Sequence, residues 1–204
     1  MIVIGLCGGS GSGKGAVSEA AKKLNIPSID TDLVYRDLTS STSPCLDELV
    51  MEFGVQVIGA GGALNRGALR EIVFSDTERL ARLNSISHKH ILARTRDLLE
   101  RYRCEGRSAA IVDAPLLFES GFDRECDVII AVVADRERRI ERIMSRDGIT
   151  HEAAEARIAT QISDDELIAR SHYFIPNNGT VDELCRNTTF VLNKILDNKD
   201  GNLK

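Results

Sequence analysis

Ile2-Val-Ile-Gly-Leu6-Cys7-Gly8-Gly9-Ser10-Gly11-Ser12-Gly13-Lys14-Gly15-Ala16 sets a short apolar run directly before a cluster of glycines and a lysine. Ile2–Leu6 is compact and long enough only for a buried strand. A helical pattern follows over Ala16–Leu24. A glycine-rich turn between strand and helix lets successive backbone N–H groups converge on phosphate oxygens. The helix N-terminus adds a favourable dipole, and Lys14 is placed to reach the outer phosphates of a nucleotide. One position departs from the full pattern. The hydroxyl that normally follows the lysine as a Mg²⁺ ligand is absent, because Gly15 and then Ala16 stand there. Nucleotide binding by Gly9–Ala16 is therefore expected, without a direct metal ligand from the loop.

Working outward, Ala109–Val112 and Val128–Val133 are further Val- and Ile-rich strand candidates, with weaker ones at Ser28–Asp30 and Tyr173–Ile175. Helical periodicity fills the gaps, most clearly from Asp76 to about Arg103. There Leu80, Leu83, Ile91, Leu98, Leu99 and Tyr102 fall on one broad stripe. Alternating strands and helices imply an α/β fold with a central parallel sheet flanked by helices. The stretch before Ala109 is too long for one crossover and reads mostly helical, so an inserted subdomain is expected there. The resulting order is a core part at 1–37, a helical insert at 38–107, core again at 108–135, a charged helical lid at 136–170, and a final core part with a frayed tail at 171–204.

Acids and bases cluster around this frame. Asp30 and Asp32 follow the second strand candidate, where the carboxyl ends of parallel strands face a common crevice. Helix capping and proton acceptance are both open to this pair; Asp30 suits the cap and Asp32 the chemistry. Asp113 ends a buried strand, the position of an acid that holds Mg²⁺ directly or through water. Arg136, Arg138, Arg139, Arg142 and Arg146 crowd one helical pattern, with Arg139, Arg142 and Arg146 on one arc. Such a run is either a solvated face or a lid closing over phosphates. His88, at the edge of the long apolar stripe, suits a hydrogen-bonded core position when taken alone.

The order of these pieces resembles the dephospho-coenzyme A kinases, which are P-loop kinases. The resemblance spans nearly the whole chain. It rests on the glycine-lysine loop, Asp30-Thr-Asp32 with Arg36, Leu64-Asn-Arg66, His88, Asp113-Ala-Pro-Leu-Leu-Phe-Glu119-Ser-Gly121, Arg142, Arg146-Asp-Gly148, Gln161 and Asn177-Asn-Gly179. The chain departs from the family at Gly15-Ala16, at Lys89, at Arg139 where Gln is frequent, and at Ser171-His172. The resemblance implies a P-loop fold with a helical acceptor-binding insert and a lid. It implies transfer of the γ-phosphoryl group of ATP to the ribose 3′-hydroxyl of dephospho-coenzyme A, with Mg²⁺ as cofactor. By the same resemblance Asp32 is the base, and Lys14 and Arg142 meet phosphoryl charge. Asn177 lies near adenine. Arg36, His88, Asp113, Leu116, Leu117, Phe118 and Glu119 shape the acceptor site together with Asp32. With Gly15 and Ala16 in place of hydroxyl residues, Mg²⁺ is expected to reach the protein through water and carboxylates, Asp32 and Asp113.

Composition narrows the setting. Lys and Arg number 26 against 31 Asp and Glu, so the net charge of −5 gives no general attraction to nucleic acid. Tryptophan is absent and aromatics are 4%, which leaves little to stack on bases. Five cysteines without a Cys-x-x-Cys read as reduced, mostly buried thiols. No leader or membrane span is evident at the start. A cytoplasmic protein is expected, a monomer or weak homo-oligomer, with no nucleic-acid or membrane partner.

Overall fold

The computed structural model describes residues 1–74 and 76–198. Its strands are β1 (Ile2–Cys7), β2 (Ser28–Asp30), β3 (Ala109–Asp113), β4 (Val128–Val133) and β5 (Tyr173–Pro176). They form a parallel sheet in the order β2-β3-β1-β4-β5, so β1 is central and buried along its whole length. The helices are α1 (Lys14–Lys23), α2 (Thr31–Leu38), α3 (Pro44–Phe53), α4 (Arg66–Val73), α5 (Thr77–Cys104), α6 (Arg136–Asp147), α7 (His151–Ala159), α8 (Asp164–Ala169) and α9 (Val181–Asp197). The fold class expected from alternating periodicity is the one observed. Beyond Asn198, the expected polar tail lies outside the described residues.

The chain divides into two compact units. The first comprises residues 1–29 and 102–204. Alternate residues of its strands share a face, so Ile2, Ile4 and Leu6 line up with Ile111, Ile130 and Val132. That face packs on Val17 and Ala21 of α1 and on Leu184, Leu192 and Ile195 of α9. Both faces of the central strands are covered, which is why β1 and β4 read as unbroken apolar runs. Helices α6 and α7 meet through Ile140, Ile143 and Ala154, joined by Met144, Ile149 and Ile158.

The second unit spans residues 30–101, whereas periodicity put the insert at 38–107. Local capping starts its helices. The Asp30 carboxylate accepts from Asp32 N at 2.9 Å and Leu33 N at 3.1 Å, Ser43 caps α3 ahead of Pro44, and Asn65 caps α4. Each cap satisfies an orphan amide and contributes about 1 kcal/mol. Leu49, Phe53, Val57, Leu69, Val73 and Ile86 form the unit's own core.

One expected pattern needs correction. Leu80 is 43% exposed, and the buried residues of α5 are Ile86, Ser87, Thr95 and Leu99. A straight stripe assumes one set of neighbours along all 28 residues of the helix. The buried line instead turns about the axis between Ile86–Ser87 and Thr95–Leu99.

Among the described residues the cysteines are all thiols. Cys7 and Cys45 are buried, Cys126 and Cys185 half-buried, and Cys104 exposed. Burial, then the nearby Asp123, Asp127 and Glu125 carboxylates, pushes the Cys126 thiol up to about 12. Burial, then Glu48, pushes Cys45 up to about 11. Thiolate is the reactive form, so at pH 8 roughly one Cys126 in ten thousand is ionised. Native alkylation at that pH is expected to modify Cys104 first and to leave Cys45 and Cys126 for denaturant. Peptide mapping checks this; early labelling of Cys126 contradicts the packing described.

Candidate active site

The loop between β1 and α1 is built to receive an anion. Gly13 precedes α1 with φ 100°, and no side chain caps the helix. The helix therefore opens on amides that no side chain caps, at the positive end of the helix dipole. Ser12 N donates to Gly9 O at 3.1 Å and Ala16 N to Gly13 O at 3.0 Å, which curls the loop. Lys14 Nζ donates to Gly8 O at 2.8 Å, so its ammonium spans the loop. The Ser12 hydroxyl is fully buried, with no hydrogen-bond partner among the described residues. A Cβ at Gly13 would collide with Asn177 Nδ2, and one at Gly9 with the Arg139 guanidinium. At Gly15, by contrast, nothing lies within 4 Å of an added Cβ.

Three successive loop carbonyls are tied from outside. Arg139 Nε donates to Ser10 O at 3.0 Å, Arg142 Nη1 to Gly11 O at 3.1 Å, and Asn177 Nδ2 to Ser12 O at 2.7 Å. Arg139 is 4% exposed, and its other nitrogens reach Asp164 Oδ1 at 2.9 Å and Gln161 Oε1 at 2.8 Å. Gln161 Oε1 also accepts from Ser10 N at 3.0 Å. Burial lifts the Asp164 carboxyl above its ordinary value, and the Arg139 charge offsets part of that. Arg142 Nη2 donates to Asn177 O at 3.0 Å. Asn177 is itself held by its amide to Val133 O at 2.8 Å. Neighbouring Asn178 and Asp135 exchange two bonds, Asp135 N to Asn178 Oδ1 at 2.8 Å and Asn178 Nδ2 to Asp135 Oδ1 at 2.7 Å.

Charge pairing sorts the arginines of α6. Arg139 is matched by Asp164, Arg136 by Glu155 and Arg146 by Asp147. Arg146 and then Arg157 hold Asp147 well below the usual carboxylate range. Among the described residues neither Arg142 nor Lys14 has a carboxylate partner, and both face the loop. The arc of Arg139, Arg142 and Arg146 is thus turned to the loop, with Arg146 Nη2 3.4 Å from Ser10 Oγ.

The other expected residues lie on elements of both units. Asp113 ends β3 opposite Leu6 and is half-buried. Leu117 and Phe118 are buried in packing, with the Arg170 guanidinium 3.9 Å above the Phe118 ring; Leu116 and Glu119 are exposed. In the second unit, Asp32 and Arg36 lie exposed on α2, and His88 is half-buried on α5. Asp30 takes the cap and leaves the Asp32 carboxylate out of that role. No group of three or more His, Cys, Asp or Glu among the described residues is arranged to hold a metal.

A family model described as dephospho-CoA kinase matches residues 2–183. The chain is 40% identical to the dephospho-CoA kinase of Symbiobacterium thermophilum over 182 residues, covering 89% of this chain and 76% of that protein. It is 33% identical to the Corynebacterium glutamicum dephospho-CoA kinase over 196 residues, covering 96% and 98%. The chain belongs to the dephospho-CoA kinase family. In structure it is similar to TT1252 from Thermus thermophilus, with TM-score 0.77 and 30% identity over 95% of this chain and 97% of that one. The dephospho-CoA kinase of Campylobacter jejuni shares the fold at TM-score 0.72 and 24% identity, covering 97% and 98%.

Within this dephospho-CoA kinase family member, sequence reasoning passed over Asp164 and placed Arg139 only as one arginine of an arc that is either a solvated face or a lid. The one signal was Arg139 itself, an arginine at a position where the family often has Gln. Its partners lie too far along the chain for local spacing to reveal them. The contrast between two loop glycines gives a test. A Gly13→Ala change forces a side chain into a left-handed backbone and into Asn177, and weakens ADP binding by about tenfold or more. Gly15→Ala folds and binds ADP within about threefold of the parent. Titration calorimetry checks both; equal losses would contradict the loop geometry.

Proposed function

We infer that this chain phosphorylates dephospho-coenzyme A with ATP, the acceptor being the ribose 3′-hydroxyl. The observation that carries this is a glycine-lysine phosphate loop whose carbonyls are tied from outside, in a chain that matches the family over residues 2–183. The loop amides and the α1 dipole bind the β- and γ-phosphates. The orphan Ser12 hydroxyl gains an acceptor when a phosphate oxygen arrives. Lys14 exchanges the Gly8 carbonyl for phosphate oxygens, and its unpaired charge, like that of Arg142, meets charge moving onto the leaving ADP.

Asp32 is assigned as the base. As the acceptor oxygen bonds to the γ-phosphorus, the bond from that phosphorus to the bridging oxygen breaks and ADP departs. The hydroxyl proton passes to the Asp32 carboxylate. The second unit, with Arg36 and His88, is assigned to acceptor binding. Mg²⁺ suits the hard oxygen donors present. When bound it would supply neutralisation of phosphate charge; the phosphates would anchor it, and Asp32 and Asp113 are the carboxylates assigned to hold it through water. Gly15 supplies no hydroxyl to it. Cytoplasmic residence fits this reading, and no helix among the described residues is long and apolar enough to cross a membrane.

A second reading, nucleotide binding without turnover, is favoured by Gly15 alone. ADP release measured across dephospho-coenzyme A, adenosine, other nucleosides and nucleoside monophosphates separates the readings. Dephospho-coenzyme A is expected to dominate, and Asp32→Asn to cut that turnover by about 10²–10⁴ with ATP binding kept. Stimulation by nucleosides instead, or by no acceptor, contradicts the assignment. Parent-like turnover in the folded Asn variant removes Asp32 from the mechanism.

A further inference from the structure

We propose that Arg139 is a positioning residue, which with Gln161 and Asp164 presets the phosphate loop for nucleotide without touching it. The inference rests on the nucleotide-binding part of the function above. A trans peptide unit is planar, and its C=O and the following N–H point in opposite directions. Holding Ser10 O, Gly11 O and Ser12 O outward therefore turns the amides of Gly11, Ser12 and Gly13 the other way, into the curl of the loop. The Ser12 amide closes the curl on Gly9 O, and planarity turns those of Gly11 and Gly13 to the inside of the loop, where a phosphate would meet them. Arg142 and Asn177 hold two of the three carbonyls. Arg139 holds the first, at the crown, where Gln161 also fixes the Ser10 amide.

Charge decides what Arg139 is for. Its cation is matched by Asp164 at 2.9 Å, and each of its nitrogens already has a protein acceptor. It has no charge to lend to a phosphate, unlike Arg142. A neutral donor at this place would hold one carbonyl. The buried guanidinium instead joins three segments, the loop at Ser10, the α7–α8 connection at Gln161 and the start of α8 at Asp164. Every one of these links is protein to protein and calls on no ligand atom, so the crown is ordered at no cost to nucleotide binding. A side chain at Gly9 would displace the guanidinium, so the loop's second glycine and Arg139 depend on one another.

The test is the ADP dissociation constant, measured by titration calorimetry with Mg²⁺ for Arg139→Met and Gln161→Ala. Gln161 is exposed, so its truncation leaves the fold in place and decides the matter alone if Arg139→Met does not fold. The expected losses are about tenfold or more for Arg139→Met and about threefold or more for Gln161→Ala, with dephospho-coenzyme A affinity unchanged. Affinity for ADP within about twofold of the parent in either folded variant overturns the proposal. So does equal weakening of both ligands, which marks general softening. If dephospho-coenzyme A does not bind the parent chain, the proposed function fails. The ADP constants then still judge Arg139, with ligand-free melting temperatures as the control for softening.

Discussion

Everything at the site depends on peptide planarity at three consecutive residues of one loop. An anion hole made of backbone amides works only if the amides already point inward, since reorienting them during binding or reaction costs free energy. Here the carbonyls of Ser10, Gly11 and Ser12 are each held on the far side by a donor from another segment. Glycine is required at Gly9 and Gly13 because those donors come too close to admit a side chain. The glycine-rich sequence is thus shaped as much by Arg139 and Asn177 behind the loop as by the ligand in front.

The sheet explains how such distant residues meet. β1 leads into the loop, and β4, its parallel neighbour, leads into α6, which carries Arg139 and Arg142. β5 lies beside β4 and runs into Asn177. Parallel strands deliver their carboxyl ends to one edge, so three successive strand ends supply the loop and its supports. Asp113 closes β3 on the other side of β1. The core of Ile4, Leu6, Ile111 and Ile130 against α1 and α9 keeps these strand ends in register.

Much of this was legible in the sequence because the signals are local. Unbroken Val and Ile runs marked β1, β3 and β4, and the weaker runs at Ser28 and Tyr173 marked β2 and β5. Asp30 as a cap followed from its place before a helical pattern. The Arg139, Arg142 and Arg146 arc on the loop was one of two readings, and charge alone did not separate it from a solvated face. Asp164 gave no signal, because its meaning lies in a contact with a buried arginine two helices earlier. The stripe on α5 failed at Leu80 for a related reason: periodicity reports an apolar side, and packing decides how much of it is covered.

The proposed function is that of an enzyme that forms one phosphomonoester and leaves the rest of the acceptor untouched. Phosphorus NMR of a completed reaction with ATP, Mg²⁺ and dephospho-coenzyme A tests this most directly. The account predicts one new monoester resonance, coupled to the ribose 3′ proton, with the acceptor's diphosphate bridge unchanged and ADP formed in equal amount. ADP accompanied only by inorganic phosphate, or a phosphoryl group placed elsewhere on the acceptor, would contradict it.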